Sequence, residues 1–272
     1  MDKEFLIRSN FRGDRRIEPH IVYQRDKITY CIYCGKEADT REHCPPRALL
    51  KKPFPCDLPV LPACRECNNG FSGDELYVKT YLRCIKEVLQ NKNEEAVSIQ
   101  TEDRREVIEA KQTVTEHIIH GFSFDDRIGR ILKKLSIGHI VYELSEGYYG
   151  GLNSLVLRSI KYSFRTNMTK QEWDELNDPE IINTYLLPEI GSRVFRNIYI
   201  VHPILVSIDT DEQKKAMVVL LDWTDVQENM YRYLAFVKGN DFFVRIVMHD
   251  FLYAEVTFSY ADLIDVDVTC QP

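Results

Sequence analysis

No stretch of the 272-residue chain approaches the roughly 18 consecutive apolar residues of a membrane-spanning helix. The chain also lacks a glycine-rich phosphate loop, a nucleophile elbow and any internal repeat, which leaves P-loop, α/β-hydrolase and solenoid readings without support. The opening MDKEFLIRSNFRGDRR has no apolar core of the kind a secretory signal carries, so a reducing, cytoplasmic compartment is expected. Basic charge is in short supply: 35 Lys+Arg stand against 42 Asp+Glu, a net charge of −7, and this is the main argument against a nucleic-acid partner. The deficit is uneven. Residues 1–72 carry 13 Lys+Arg and 10 Asp+Glu, or +3, and the remainder carries 22 and 32, or −10. A locally basic face can hold phosphates while the rest of a chain is acidic. Otherwise the usage, 44% hydrophobic and 28% charged, is that of a globular protein with room for one large domain or two smaller ones.

What the chain does have is cysteine in order. Four of its eight cysteines form two Cys-x-x-Cys pairs, Cys31/Cys34 and Cys64/Cys67. Four thiolates suit tetrahedral Zn²⁺, and each pair is followed by turn residues, Gly35 and Asn68-Asn69-Gly70. In a reducing compartment a structural zinc is the better reading than disulfides. The interval from Cys34 to Cys64 exceeds the roughly 15–20 residues of a plain zinc ribbon, so it houses more than a knuckle. Cys56 and Cys270 stay unassigned, Cys84 reads as a buried thiol on a helix, and Cys44 adjoins the candidate site.

The interval contains Arg41-Glu42-His43. A lone histidine is ordinarily packed or solvated. This one follows a carboxylate, and Asn68 follows the second cysteine pair near a helix read as Gly73 to Leu89, with Ser72 and Glu75 as a capping box. A carboxylate and an amide oxygen suit Mg²⁺ or Mn²⁺, and a base beside such an ion is what phosphodiester hydrolysis requires. Arg41, Arg47, Lys51 and Lys52 surround His43 in sequence and are candidates for gripping backbone phosphates.

Taken together, these residues resemble the HNH endonuclease superfamily, the ββα-metal nucleases, in its zinc-stapled form. The resemblance covers about 45 residues, Cys31 to Glu75. It implies His43 as general base and Glu42 and Asn68 as ligands of a catalytic Mg²⁺ or Mn²⁺. Cys31, Cys34, Cys64 and Cys67 would be the zinc staple that holds a two-stranded ribbon to a helix. The chain departs from the family in having Glu-His where Asp-His is commoner, and in lacking a clear middle Asn; Asp57 is the nearest polar residue. The implied activity is metal-dependent endonucleolytic cleavage of DNA, or less readily RNA, and bacterial relatives of this type often serve in defence against invading DNA. The alternative is a zinc-stapled nucleic-acid- or protein-binding adaptor without cleavage.

The expected fold class is α+β: an N-terminal zinc-stapled ββα (HNH) module over residues 1–92, then a helical and antiparallel-β scaffold or specificity domain over 93–272, whose antiparallel sheet is expected to give residues 95–272 a core of their own. That second domain is where a protein partner or a second copy would bind. In the first, Arg8, Arg12, Arg15 and Arg16 form a basic arm, Ile28-Thr29-Tyr30 a short strand and Leu58 to Leu61 an edge strand. Residues 90–120 read as a polar connection with one or two strands, among them Val97 to Gln100. A helix is expected from Asp125 to Glu143, interrupted at Gly138-His139, and a short one opened by the capping box Thr169/Glu172. His117, His120 and His139 lack an acidic motif at ligand spacing and read as structural. Strands follow at Tyr199 to Ile208, Ala216 to Leu221, Arg232 to Val237, Phe242 to Val247 and Glu255 to Tyr260, with turns at Asp209 to Glu212 and Lys238 to Asp241.

Overall fold

A computed structural model describes residues 28–91, 104–144, 155–182, 188–189, 192–206 and 214–260. The basic arm, the strand at Val97 to Gln100 and the turn at Asp209 to Glu212 lie outside the described residues. Within them the protein is a mixture of four α-helices and three antiparallel sheets.

The cysteine-bearing segment forms a hairpin followed by a helix. Strand β1 (Thr40–His43) pairs with β2 (Val60–Ala63), Thr40 facing Ala63 and His43 facing Val60. Helix α1 (Arg65–Asn91) follows at once. Its start is a correction, because the capping-box reading placed it at Gly73. Asp39 Oδ1 accepts the Arg65 N–H at 2.7 Å and Cys64 Sγ accepts the Cys67 N–H at 3.4 Å, so the first turn is already capped beside the second cysteine pair. Ser72 lies inside the helix and donates to Asn69 O at 2.7 Å. Asn68-Asn69-Gly70, read as a turn, is helical.

Helix α1 buries Tyr77, Val78, Tyr81, Leu82 and Ile85, an apolar stripe of helical period. Helix α2 (Arg105–His120) packs along α1 and replaces the expected polar connection. Its buried positions, Val107, Ala110, Val114 and His117, recur every three or four residues, too small a stripe to stand out among polar neighbours. Helix α3 (Asp126–Leu144) lies between α1 and the large sheet and continues through Gly138-His139 without a break. Gly138 has a packing reason: a Cβ there would stand 2.7 Å from Cys44 Sγ.

The unexpected β3 (Leu155–Phe164) begins the sheet region; most of its residues are only half-buried, so its alternation is weak. Helix α4 (Lys170–Asn177) carries both halves of the Thr169/Glu172 capping box. The remaining strands are β4 (Glu180–Ile182), β5 (Ile198–Val206), β6 (Lys214–Leu221), β7 (Thr224–Gln227), β8 (Tyr231–Lys238), β9 (Asp241–Met248) and β10 (Leu252–Tyr260). They form a five-stranded sheet, β3-β10-β9-β8-β7, and a three-stranded one, β4-β6-β5. Gly239, at φ +64°, makes the β8–β9 turn.

One apolar cluster joins Tyr81 and Leu82 of α1, Ile131 and Leu135 of α3, and Phe236, Val244 and Val256 of the sheet. Side chains from both sides of residue 92 meet in this cluster, so the sheet expected to give residues 95–272 a core of their own also packs against α1. Two small clusters serve the hairpin, one around Ile28, Ile32, Cys44, Leu61 and Val141, the other around Cys31, Ala63 and Cys64. No helix among the described residues is long and apolar enough to cross a membrane.

Candidate functional site

The two cysteine pairs converge. One ligand atom from each of Cys31, Cys34, Cys64 and Cys67 lies within 4.8 Å of all the others, and Cys34 Sγ and Cys64 Sγ are 3.6 Å apart. A tetrahedral site with Zn–S bonds of about 2.3 Å spaces its sulfurs about 3.8 Å apart. All four are free thiols. Tyr33 N–H donates to Cys31 Sγ at 3.4 Å; the Cys67 N–H that reaches Cys64 helps to draw that thiol down to about 7, while burial and the neighbouring sulfurs push Cys67 up and Cys34 is also raised. The four-cysteine group can hold a structural metal such as zinc.

Glu42 and His43 end the strand that this group anchors. Glu42 is buried. Its Oε1 accepts from Lys134 Nζ of α3 at 3.1 Å, and the same ammonium contacts Glu75 of α1 and lies 4.9 Å from the Phe71 ring. Burial raises the Glu42 pKa, Lys134 opposes the rise and Glu75 adds to it. Two carboxylates thus share one lysine, and Glu42 Oε2 remains buried with no hydrogen-bond partner among the described residues. An orphaned oxygen beside an uncompensated negative charge fits a hard cation. The ammonium on Oε1 acts against one.

His43 is half-buried. Its Nδ1 is enclosed, with no hydrogen-bond partner among the described residues. Burial lowers its pKa, the Arg47 guanidinium lowers it further, and the Pro59 carbonyl, whose own hydrogen bond comes from Cys44 N–H at 2.9 Å, works in the opposite direction. The ring is accordingly neutral at pH 7.

Asn68 stands on the first turn of α1. Its Nδ2 donates to Thr40 Oγ1 at 3.2 Å and to Arg41 O at 3.3 Å, so the helix is tied to the strand that carries Glu42 and His43. Its Oδ1 makes no hydrogen bond among the described residues. The structure thereby brings the Asn68 amide to the same strand as Glu42 and His43, with Glu42 turned inward to Lys134. Arg41, Arg47, Lys51 and Lys52 are all exposed. Arg47 lies 5.6 Å from the Phe54 ring, and Gln227 of β7 clamps Lys51 from both sides, accepting its N–H and donating to its carbonyl at 2.8 Å each. Asp57 pairs with Arg193 at 2.6 Å and so braces the loop between β1 and β2 against the sheet region.

Cys44 turns away from the cysteine group. It faces His139 Nδ1 at 3.7 Å, and His139 Nε2 in turn meets Tyr231 OH at 2.7 Å. His117 is likewise held, by Tyr81 OH at 2.7 Å, which is a structural role. Sequence reasoning missed Lys134, Glu75, Arg193 and Gln227. Lys134 did leave a signal, since it lies on the face of α3 marked by Ile131, Leu135 and Gly138, where a lysine needs a buried partner.

No protein-family model, no curated protein and no solved structure matches the chain.

Proposed function

We propose that the protein is a metal-dependent endonuclease of the HNH kind, hydrolysing phosphodiester bonds in DNA or, less readily, RNA. The observation that supports this reading is the pair of hydrogen bonds from Asn68 to Thr40 and Arg41, which tie the first turn of α1 to the strand that carries Glu42 and His43, beside a zinc-capable cysteine group. His43, neutral at pH 7, takes the proton of the attacking water at Nε2. Arg41, Arg47, Lys51 and Lys52 hold backbone phosphates and orient the strand. Glu42 Oε2 and Asn68 Oδ1 are the oxygens that would hold Mg²⁺ or Mn²⁺. When bound, the ion supplies charge stabilisation at the phosphate and leaving oxygen. The cysteines keep the geometry and take no part in the reaction.

A second reading, a zinc-stapled binding protein without cleavage, is favoured by one observation: Lys134 already neutralises Glu42. Plasmid nicking with Mg²⁺ or Mn²⁺ separates the two. His43→Ala should lower the cleavage rate about 10²–10⁴-fold with the melting temperature unchanged. Glu42→Ala and Asn68→Ala should lose activity that high Mn²⁺ partly restores. A fully active, stably folded His43→Ala protein, or a wild type that binds but never cuts, leaves the binding reading.

A further inference from the structure

A cleft of about 440 Å³ opens where three distant segments meet: the chain from Ala48 to Lys51 behind Arg47, the Lys79/Arg83/Lys86 face of α1, and the turns of the five-stranded sheet at Asn229-Met230 and His249. Its charge is one-sided. Among the described residues Glu87 is its sole acid, and it pairs with Arg83 at 3.3 Å. Lys51, Lys79 and Lys86 have no carboxylate partner among the described residues. Lys86 Nζ instead donates to the His249 carbonyl at 2.6 Å. The site is also built. His249 and Asn229, residue types that tolerate it, hold left-handed backbones at φ +57° and +56°, and His249 Nε2 is buried without a partner among the described residues. Lys86, Lys51 and Lys79 all act on the His249 ring, lowering a pKa that burial has already depressed. Three ammonium groups converging without a counter-ion invite an anion. The cleft is far roomier than an inorganic ion requires, at about 30 Å³ per water, and it falls in the range of ligand sites, roughly 300–1,000 Å³. Leu50 and Met230, buried but for 6% of each, form the apolar part of its floor, against which a flat ring can lie.

We propose that this cleft binds one nucleotide unit of a phosphodiester chain, the phosphate on Lys51, Lys79 and Lys86 and the base against Leu50 and Met230. The proposal rests on the nuclease reading for the source of that unit. The short segment from His43 through Arg47 to Lys51 leads from the proposed base to the cleft, so a strand held at one is directed toward the other.

The test uses the full-length His43→Ala protein and a fluorescein-labelled single-stranded DNA 12-mer, followed by anisotropy across a salt series. Lys79→Glu/Lys86→Glu should weaken binding at least tenfold and flatten the log Kd against log salt slope by about 0.7, the value for one phosphate contact on a single strand. Melting curves confirm folding of the variant. Photocrosslinking of the unsubstituted chain to a 5-bromodeoxyuridine 12-mer gives a reading that needs no variant: adducts on peptides holding Lys79 to Lys86 or Met230 support the proposal, and adducts confined to other segments overturn it. An unchanged slope and affinity overturn it too, even where the wild type cuts DNA. Lost binding in the charge-reversed variant sustains it even where the wild type fails to cut, in which case only the nuclease reading falls. Tight binding of AMP that the 12-mer cannot displace would assign the cleft to a free nucleotide and also overturn it, as would an acidic peptide that displaces the 12-mer.

Discussion

The β1–β2 hairpin and the five-stranded sheet are both antiparallel, and they hold together by different means. The hairpin pairs four residues with four, and its two apolar clusters are small. The sheet buries Tyr233, Phe236, Val244, Ile246, Val256 and Phe258 in a core shared with α1 and α3. A two-stranded ribbon is marginal in water by itself, whereas a sheet with a packed face is not. The contrast locates the part of the molecule that depends on the four cysteines, and three experiments can break or sharpen it.

The largest effect should come from the cysteines. Structural zinc in small sites contributes apparent binding energies of about 10–16 kcal/mol, all of it available to folding. Elemental analysis should find one zinc per chain, and Cys31→Ser or a strong chelator should remove it. Proteolysis should then cut between residues 28 and 70. Fluorescence from Trp173 and Trp223, the only two tryptophans and both in the sheet region, should stay native. Undiminished zinc in Cys31→Ser would break the assignment. Tryptophan emission that collapses with the metal would break the contrast between the regions.

Next comes Lys134, the charge that ties the two regions together. Its removal leaves the Glu42 and Glu75 carboxylates buried without their counter-ion, a change that typically costs about 3–5 kcal/mol. Lys134→Met should lower the melting temperature, and Lys134→Met/Glu75→Gln should recover much of the loss. Added Mg²⁺ should raise the melting temperature of Lys134→Met more than that of the wild type. Equal metal responses in the two proteins would remove Glu42 from the proposed ion site.

The smallest effect is acid sensitivity on the sheet side. Burial, with Arg193 adding to it, pushes His139 down to about 3, and burial with three lysines pushes His249 down to about 4. Unfolded, both titrate near 6.5. Below 6.5 the unfolded chain binds protons that the folded one does not, so stability falls with pH. Between pH 7 and pH 5 His139 alone should remove about 2 kcal/mol. Glu42, whose pKa is raised, works in the opposite sense. Thermal melts read by tryptophan emission should move to lower temperature at pH 5, and an unchanged midpoint would show that His139 charges without cost.

The same contrast divides what the sequence alone discloses. The cysteine pairs are legible because ligand spacing is local, and β8, β9 and β10 because β-branched and aromatic residues crowd them. Helix α2 is not, since Val107, Ala110 and Val114 make a thin stripe among Thr113, Thr115 and three glutamates. The start of α1 is obscured because its caps, Asp39 and Cys64, precede a string that looks like a turn. The surroundings of Glu42 are illegible for a different reason. Lys134 is distant in sequence, and although its place on the apolar face of α3 marks it as needing a buried partner, nothing along the chain names Glu42 as that partner. Of the candidate site, residue types and order can be read along the chain, and the partners that set their charge cannot.

The contact between Gly138 and Cys44 has a mechanical meaning. A helix position with no side chain lets the sulfur next to His43 sit against the backbone of α3, so α3 serves as a gauge block for the end of β1. Its thickness at that point sets how far the strand end stands from the sheet. A single methyl at position 138 would be a shim, moving His43 relative to the cleft residues of the sheet while changing neither of them.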